Sequence, residues 1–431
     1  MAVQILLLSF FLLYTSSSIT ASDPCSSPSH SDLSIVHIHG PCSPFRRPRA
    51  ASPMPWLDET KDLERVSYLA NRPISAPVAS GQAVGIIGNY VVRIKIGSPG
   101  QTMYTVLDTS SDVGWVPCTG CTGCGTAQFD TSSSTSYEPL DCTLPQCTFA
   151  NGASCPTTGS SCLFNQSYGG DTLSAALARD VLVLGNGQVA NYAFGCVTAV
   201  VSGGGGGSVP PQGLLGLGRG YMSMISQAGA LAGVFSYCLP SFRSYYFSGS
   251  LKLGLTGQPT NIRTTPLLRN PHRPSLYYVN LTGISVGRVN VPIDPQFLAF
   301  DPNTGAGTII DSGTVITRFV GPIYEAVRDE FKKQLTGPFT SLGAFDTCFT
   351  ATNQAEAPTV TLHFTGLDLK LPVENTLIHS SSGSLGCLAM ASAPDNVNSV
   401  LNIIASLQQQ NLRIVFDTVN SHLGITREVC N

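Results

Sequence analysis

The sequence contains few charged side chains. Asp, Glu, Lys and Arg make up 11% of its 431 residues, against about 25% in an average soluble protein. The formal net charge is -3, which is too small to imply a strongly charged partner. A nucleic-acid-binding surface needs clustered Lys and Arg, so we expect no nucleic-acid partner.

Sequence signatures of several enzyme classes are also missing. The seven His residues are scattered and form no H-E-x-x-H zinc motif, and we expect no serine elbow of the hydrolase type. The run Gly203–Gly207 is not followed by the Lys-Ser/Thr of a phosphate-binding loop, so we predict a flexible loop there. The sequence therefore predicts neither a metal nor an organic cofactor.

Long apolar runs are lacking as well, since no stretch reaches about eighteen apolar residues. The run Ile5–Tyr14 is too short to span a bilayer, and small residues follow it. We predict a signal peptide at residues 1–22, with a membrane anchor as the alternative, and a mature protein without a membrane segment. Sequons at Asn165 and Asn280 predict glycosylation and agree with export.

Cysteine is plentiful, and its number and spacing favour disulfides. Of the 14 Cys, an even twelve lie from Cys118 onward, which after a signal peptide predicts a disulfide framework. These are Cys118, Cys121, Cys124, Cys142, Cys147, Cys155, Cys162, Cys196, Cys238, Cys348, Cys387 and Cys430. The alternative is zinc at the overlapping C-x-x-C units of residues 118–124, but no distant second unit accompanies them.

Residues 23–80 differ in character from the rest. They contain Pro-rich turns, a basic cluster at Arg46, Arg47 and Arg49, and a helix-like stretch, Leu57–Asn71. We predict a removable pro-segment, with a disordered leader as the alternative.

The remainder of the chain repeats one pattern of strands twice. Each half has a strand, a turn and an apolar strand that ends at an acid. In the first half these are Tyr90–Ile96, Tyr104–Leu107 and Asp108, and in the second Tyr277–Val286, Thr308–Ile310 and Asp311. Such a repeat predicts two mostly β lobes, which we place at residues 81–262, with a Cys-rich insertion at 118–162, and at residues 263–431.

Two carboxyl groups at matching positions can hydrolyse a peptide bond with one water molecule. Like charges held close cannot both ionise, so the pair shares one proton. The ionised group accepts a proton from water and the protonated group donates to the carbonyl oxygen. Asp108-Thr109-Ser110 and Asp311-Ser312-Gly313 supply this pair.

Over about residues 85–431 the sequence resembles the pepsin-like aspartic protease family. That family has Asp-Thr-Gly-Ser with Trp seven residues after the Asp, a spacing that Asp108 and Trp115 keep. The resemblance implies a bilobal acid protease fold with two pseudo-symmetric β lobes and a cleft between them. It assigns Thr109 and Ser312 to interlocking hydroxyl contacts. It assigns Ser111 and Thr314 to hydrogen bonds with the outer carboxylate oxygens.

The resemblance also implies a flap and two segments behind the acids. Ser167-Tyr168-Gly-Gly-Asp171 is the candidate flap tip, and Tyr168 would hydrogen-bond Trp115 over the substrate. The alternatives are an ordinary strand aromatic at Tyr168 and plain core packing at Trp115. Leu214–Gly216 and Ile403–Ala405 fit the segments behind the acids, with Ala405 where Gly is usual.

The Cys-rich insertion is similar to that of the plant nepenthesin-like branch. Seven Cys lie between Cys118 and Cys162, and that branch has six disulfides. The resemblance implies pairs Cys348 with Cys387 and Cys238 with Cys430. The sequence alone leaves the pairing open. The saposin-like insert of other plant members is missing.

The expected activity is that of a secreted, monomeric endopeptidase acting on protein or peptide substrates. The resemblance implies an acid pH optimum, a preference for hydrophobic residues around the scissile bond, and the apoplast as destination, with vacuole or plastid as alternatives. Lys61 is a candidate to pair with the acids before processing. Ser110 and Ala405 depart from the family pattern by adding bulk, and the rival function is a binding protein of the xylanase-inhibitor kind.

Overall fold

The computed structural model describes twelve stretches of the chain. They are residues 33–37, 89–150, 152–157, 160–168, 171–185, 187–203, 209–229, 232–242, 249–255, 258–350, 356–394 and 399–430, with residues 33–37, 167 and 168 described by their backbone. The predicted signal peptide, the helix-like stretch at residues 57–71, Lys61 and the glycine run from residue 204 lie outside the described residues.

Strands dominate the first half of the described chain. They are β1 (Leu33–His37), β2 (Tyr90–Ile96), β3 (Gln101–Asp108), β4 (Trp115–Thr122), β5 (Glu138–Pro139), β6 (Ala153–Ser154), β7 (Leu163–Tyr168), β8 (Asp171–Leu184), β9 (Gly187–Val201), β10 (Leu214–Gly216), β11 (Val234–Cys238) and β12 (Gly249–Leu253). The strands predicted at residues 90–96 and 104–107 are confirmed, the second as part of β3.

The second half is also built mainly of strands. They are β13 (Arg263–Leu268), β14 (Tyr278–Val279), β15 (Leu281–Val286), β16 (Val289–Asn290), β17 (Gly307–Ile310), β18 (Thr317–Phe319), β19 (Thr340–Leu342), β20 (Phe345–Thr350), β21 (Val360–Phe364), β22 (Leu367–Lys370), β23 (Leu377–His379), β24 (Leu385–Leu388), β25 (Met390–Ser392), β26 (Leu401–Ile404), β27 (Leu412–Asp417) and β28 (His422–Arg427). The single strand predicted at residues 277–286 is divided at Asn280, because β14 pairs with β13 and β17 whereas β15 pairs with β16 and β21.

Helices are short apart from one. They are α1 (Pro145–Phe149), α2 (Met224–Gln227), α3 (Gly321–Lys333) and α4 (Val373–Thr376), with 3-10 turns at Thr131–Ser133, Pro295–Phe297 and Ser406–Gln409. Helix α3 buries Ile323, Val327 and Phe331 on one face and ends in Lys332 and Lys333, which suit the negative end of a helix dipole. None of the helices in the described stretches is long and apolar enough to cross a membrane.

The two halves share one strand topology around their acids. In the first, β3 runs parallel to β10, which is antiparallel to β4, and β4 is parallel to β9. In the second, β17 runs parallel to β26, which is antiparallel to β18, and β18 is parallel to β25. The fold is therefore mostly β with two lobes of similar topology, as predicted.

A continuous sheet connects the halves. Its strands follow the order β2, β1, β12, β11, β27, β28, β13, and β11 pairs with β27 where the halves meet. Phe235 of β11 stacks on Phe416 of β27 with ring centroids 4.6 Å apart. Because both halves contribute strands, the lobe boundary at residues 262 and 263 stays an interpretation.

Disulfides join the twelve cysteines of the described residues in six pairs. They are Cys118–Cys196, Cys121–Cys124, Cys142–Cys155, Cys147–Cys162, Cys238–Cys430 and Cys348–Cys387. The two pairs implied by the resemblance are among them. Sulfurs in disulfides are not thiolates, so those of residues 118–124 are not available as zinc ligands.

Candidate active site

The first acid lies where β3 leaves the sheet. Asp108 faces Gly216 of β10 in the strand pairing and is 1% exposed. The Ser110 backbone N–H and hydroxyl both donate to Asp108 Oδ1, at 2.8 and 2.7 Å. The Ser111 hydroxyl donates to Oδ2 at 2.8 Å. Both oxygens of the first acid are thus hydrogen-bonded by its own loop.

The second acid follows β17 in the same way. Asp311 is fully buried. The Gly313 N–H donates to Oδ1 at 3.0 Å, and the Thr314 hydroxyl donates to Oδ2 at 2.6 Å. Ser111 and Thr314 therefore occupy equivalent positions, each on the Oδ2 oxygen of its acid, as the resemblance implied.

The two acid loops are locked to each other. The Thr109 N–H donates to Ser312 Oγ at 3.2 Å, and the Ser312 N–H donates to Thr109 Oγ1 at 3.0 Å. The Ser312 hydroxyl also donates to the Leu107 carbonyl at 2.9 Å. Thr109 Oγ1 lies 3.5 Å from Asp311 Oδ1, so the first loop also reaches the acid of the second.

The second loop passes close to the first acid at a glycine. A Cβ atom built on Gly313 would lie 2.6 Å from Asp108 Oδ1 and 2.7 Å from its Cγ. No real side chain fits at that distance, so glycine is required where the second loop passes the first acid. With the Thr109 and Ser312 contacts, this approach brings the two predicted acids together.

A third carboxyl group lies in the first loop. Burial raises the pKa of Asp112 above its ordinary 3.8, hydrogen bonds from Ser275 and Gly220 oppose that rise, and the charge of Asp108 adds to it. Its Oδ1 accepts the Gly220 N–H at 2.8 Å. Asp112 was not a predicted site residue, although it stands four positions after the first acid.

The two segments behind the acids differ at their third residue. A Cβ built on Gly216 would lie 2.3 Å from the Asp112 carbonyl oxygen. Ala405 has room, because it is buried in an apolar cluster with Tyr278, Ile309 and Ile403. Its N–H donates to Thr317 Oγ1 at 2.9 Å. The second lobe therefore accommodates the methyl group that the first could not.

The predicted flap is a hairpin of β7 and β8. Tyr168 ends β7 and pairs with Asp171 through the backbone, while its side chain and Gly169 and Gly170 lie outside the described parts. Trp115 begins β4 and is 1% exposed. The predicted hydrogen bond between Tyr168 and Trp115 stays a prediction.

The two glycosylation sequons lie on strands or beside them. Asn165 is exposed on β7, and its Oδ1 accepts the Ser174 hydroxyl at 2.7 Å. Asn280 lies between β14 and β15, and its amide donates to Thr365 Oγ1 at 2.8 Å. Both amides are at the surface of the described chain.

Two distant side chains that the sequence did not single out support the second loop. The Asn89 amide donates to the Gly313 carbonyl at 2.8 Å. The Gln409 amide donates to the carbonyls of Asp311 and Ile404, at 3.1 and 2.8 Å, and its oxygen accepts the Tyr237 hydroxyl at 2.5 Å. Three consecutive Gln residues at 408–410, shortly after the apolar strand β26, were the available signal for buried polar contacts.

A Ser–His–Asp chain lies on a separate four-stranded sheet. Ser285 Oγ is 2.7 Å from His363 Nε2, and His363 Nδ1 is 2.7 Å from Asp368 Oδ1. Residues 283–287 read G-x-S-x-G, contrary to the expectation of no such serine site. Ser285 nevertheless lies inside β15, paired with β16 on one side and β21 on the other. It lacks the strand-to-helix turn that exposes a nucleophile and supplies oxyanion donors. The three side chains therefore form a structural hydrogen-bond network.

Known proteins resemble this chain along most of its length. A family model described as Xylanase inhibitor N-terminal matches residues 90–255, and one described as Xylanase inhibitor C-terminal matches residues 276–427. Aspartyl protease AED3 of Arabidopsis thaliana is 56% identical, over 93% of this chain and 92% of that protein. Aspartyl protease 25 of Oryza sativa subsp. japonica is 49% identical, over 93% and 95%.

More distant matches agree with these. Aspartic proteinase nepenthesin-1 of Nepenthes gracilis is 34% identical, over 86% of this chain and 84% of that protein. The crystal structures of edgp and of conglutin gamma from lupine seeds align with TM-scores of 0.64 and 0.62, at 20% and 21% identity, covering 80% and 79% of this chain and 92% and 91% of theirs. At such identities they show the fold alone. By its sequence matches, the chain belongs to the pepsin-like aspartic protease family, together with plant aspartyl proteases and nepenthesin-1.

Proposed function

We propose that this protein is an aspartic endopeptidase in which Asp108 and Asp311 activate one water molecule. The observation that carries the proposal is the reciprocal contact between Thr109 and Ser312, which holds two buried carboxyl groups on adjacent loops. Two acids that act on one water molecule must be held close together, and this contact fixes the two loops that carry them. The aspartyl protease names of the relatives support it.

The chemistry follows from the burial of the pair. Two buried carboxylates on adjoining loops repel, so one proton is shared. The ionised carboxylate takes a proton from water as the water oxygen bonds to the peptide carbonyl carbon, and the protonated carboxyl donates to the carbonyl oxygen. Collapse of the tetrahedral species breaks the C–N bond: the amine leaves with a proton from the pair, and one hydroxyl of the gem-diol returns a proton to the pair as the carboxylic acid forms, which restores the single shared proton.

The finer properties rest on the family resemblance. Activity is highest at acid pH, where the pair carries one proton. Hydrophobic residues flank the scissile bond, and Tyr168 of the flap closes over the substrate against Trp115.

Export is part of the same proposal. Residues 1–22 are removed as a signal peptide and residues 23–80 as a pro-segment, in which Lys61 pairs with the acids. The mature enzyme is a monomer of the extracellular space, glycosylated at Asn165 and Asn280. Six disulfides suit an oxidising compartment.

A binding protein on the same fold is the second candidate. It is favoured by the xylanase-inhibitor names of the two family models. Ser110, which stands where the family pattern has Gly, also favours a binding protein, because it adds a side chain beside the first acid.

The test is cleavage of an unfolded protein by the processed enzyme between about pH 3 and about pH 6. Wild type, Asp108→Asn and Asp311→Asn are compared with and without pepstatin. We expect acid activity that pepstatin blocks and that either substitution abolishes. A folded, disulfide-intact wild type that cleaves nothing would instead favour the binding protein, and the search would move to a partner protein.

A further inference from the structure

The residue just before β2 places a buried amide against the loop of the second acid. Asn89 directly precedes β2 and is 3% exposed. Its Nδ2–H donates to the Gly313 carbonyl at 2.8 Å, across 224 positions of sequence. A buried carbonyl that loses its donor keeps its full desolvation cost, so this contact opposes movement of the carbonyl. The first half of the chain thereby holds the acid loop of the second half.

The peptide group that Asn89 holds lies between two donors to Asp311. The Gly313 carbonyl and the Thr314 nitrogen belong to one planar peptide group. On one side of it the Gly313 N–H donates to Asp311 Oδ1 at 3.0 Å, and on the other the Thr314 hydroxyl donates to Oδ2 at 2.6 Å. Gly313 also passes so close to Asp108 that a Cβ atom would lie 2.6 Å from its Oδ1. A displacement of this peptide group therefore reaches both acids.

Asn89 is fixed by its neighbours in the first half. Tyr90, the next residue, is 1% exposed, and its hydroxyl donates to the Pro240 carbonyl at 2.7 Å. Strand β2 pairs with β3 from residue 91 to residue 96, and β3 ends at Asp108. Asn89 therefore stands at the start of the strand that adjoins the strand of the first acid, and it contacts the loop of the second. It couples the positions of the two acids through the framework of the first half.

We propose that Asn89 is a positioning residue for the two acids, and that the active enzyme must begin at or before Asn89. The proposal rests on the proposed protease function. The chemistry required at residue 89 is an uncharged donor, since a buried carbonyl oxygen accepts from it. The proposal also sets a limit to processing. Removal of the pro-segment predicted to end at residue 80 leaves Asn89, whereas a cut after Asn89 removes the amide that holds Gly313.

The first experiment compares kcat and KM of wild type, Asn89→Leu and Asn89→Asp at about pH 3. Leucine keeps the volume of Asn89 but donates nothing, so we expect kcat to fall by about 10-fold to about 100-fold with KM unchanged, as for displaced catalytic groups. The new carboxyl of Asn89→Asp is protonated at this pH, since burial raises its pKa above about 3.9, and it can donate to the Gly313 carbonyl. We expect this variant to keep the wild-type kcat. A fully active Asn89→Leu would overturn the proposal, because residue 89 would then only fill space.

Asn402→Leu is the matched control for loss of stability. Asn402 is fully buried, its amide donates to the Phe297 carbonyl at 3.0 Å, and its oxygen accepts the Val320 N–H at 3.0 Å. We expect Asn402→Leu to lower the free energy of unfolding, measured with denaturant, by at least as much as Asn89→Leu, while kcat of the folded enzyme keeps the wild-type value. An equal loss of kcat in both variants would assign the effect at Asn89 to general destabilisation and reject the positioning role.

The second experiment moves the start of the processed chain. A recognition sequence for a site-specific protease is placed in the full-length precursor so that cleavage leaves either Gly88 or Tyr90 as the first residue. We expect the chain that begins at Gly88 to have the wild-type kcat, and the chain that begins at Tyr90 to show the loss expected of Asn89→Leu. Equal activity of the two chains would exclude the limit on processing.

Amide hydrogen exchange followed by NMR separates failure of this inference from failure of the protease proposal. The Gly313 N–H donates to Asp311 Oδ1, so its exchange reports on the second loop without any need for activity. We expect it to exchange about tenfold faster in Asn89→Leu than in wild type or Asn402→Leu, as loss of one buried hydrogen bond permits. Unchanged exchange at Gly313 rejects the positioning role, whether or not the protein cleaves peptides. Faster exchange in a protein that cleaves nothing supports the positioning contact and rejects the protease function.

Discussion

The Ser275 hydroxyl donates a hydrogen bond to Asp112 Oδ2 at 2.5 Å, across 163 positions of sequence. It joins the loop of the first acid to the segment that leads into β14. The Arg219 N–H donates to the Ser275 carbonyl at 3.2 Å, and the Tyr277 hydroxyl donates to the Leu217 carbonyl at 2.8 Å. Hydrogen bonds from the second half of the chain therefore stabilise the loop of the first acid and the segment behind it.

Asp112 makes stability depend on pH with a predictable sign. Burial raises its folded pKa above 3.8, so its contribution to stability is fully present below that value and is lost as pH rises through the folded pKa. In Asp112→Asn the charge is removed, the amide oxygen can still accept from the Gly220 N–H, and the amide N–H can donate to the Ser275 hydroxyl oxygen. We expect the free energy of unfolding of wild type, minus that of Asp112→Asn, to fall as pH rises above the ordinary pKa of an Asp carboxyl. Denaturant unfolding measures it, and a difference that rises with pH would contradict the assignment.

Gly313 tolerates no side chain. In Gly313→Ala the new methyl group would meet Asp108 Oδ1 at 2.6 Å, and Asp108 cannot yield without breaking the hydrogen bonds from Ser110 and Ser111. We expect kcat/KM to fall by about 100-fold or more, as for other displaced catalytic groups. Gly321→Ala is the control, because the nearest atom to its added Cβ is Ser392 Oγ at 4.0 Å. Equal activity of both variants would show that the loops are less closely packed.

Gln409 supports the second loop through buried polar contacts. Gln409→Met leaves the Tyr237 hydroxyl and the Asp311 and Ile404 carbonyls without this partner. We expect a loss of about 2–4 kcal/mol in the free energy of unfolding, since unsatisfied buried groups retain their desolvation penalty. Adding Tyr237→Phe removes one of the unpaired groups. The double variant should therefore lose less free energy of unfolding than the two single variants lose in sum. Strict additivity would argue against this coupling.

Glu428 ties the C-terminal strand to the shared sheet. It binds Arg413, which is 1% exposed and also donates to Ser250 and Ser236. These hydrogen bonds from Arg413 lower the folded pKa of Glu428 below 4.5. The stability it adds is present above that value and is lost as pH falls through the folded pKa.

The variant Glu428→Gln should therefore destabilise the protein at neutral pH only. We expect a loss of about 1–2 kcal/mol near pH 7, discounted from the value for a fully buried pair because Glu428 is partly exposed. The loss should shrink as the solution is acidified. Glu138→Gln, in an exposed pair with Arg179, is the control and should cost less than about 1 kcal/mol. A loss that is constant with pH would exclude the ion pair as its source.

Sequence predicted the acids because their signal is local and occurs twice. Asp108 and Asp311 each follow an apolar strand and precede small hydroxyl residues. The roles expected of Thr109, Ser111, Ser312 and Thr314 came from the resemblance to the pepsin-like family. Residues that act on the loops from a distance carried no such signal. The Asn89 amide reaches Gly313 across 224 positions, and only the folded chain shows that contact.

The departures from the family pattern could be noticed in the sequence but not interpreted there. Both Ser110 and Ala405 stand where the family usually has Gly, and both were expected to add bulk near the acids. The structure separates them, because the Ser110 hydroxyl contacts Asp108 whereas Ala405 packs in an apolar cluster. Whether an extra atom packs, clashes or donates depends on neighbours that are remote in the chain.

Strand β1 occupies an inner position of the shared sheet, with β12 on one side and β2 on the other. Its residues belong to the segment predicted to be removed, and after cleavage between His37 and Asn89 this five-residue strand would no longer be joined covalently to β2, with which it pairs. If that strand departs, β12 and β2 both become open edges, which attract other strands. If residues 23–80 are removed as predicted, the mature sheet must either retain β1, pair another strand between β2 and β12, or cover the two edges.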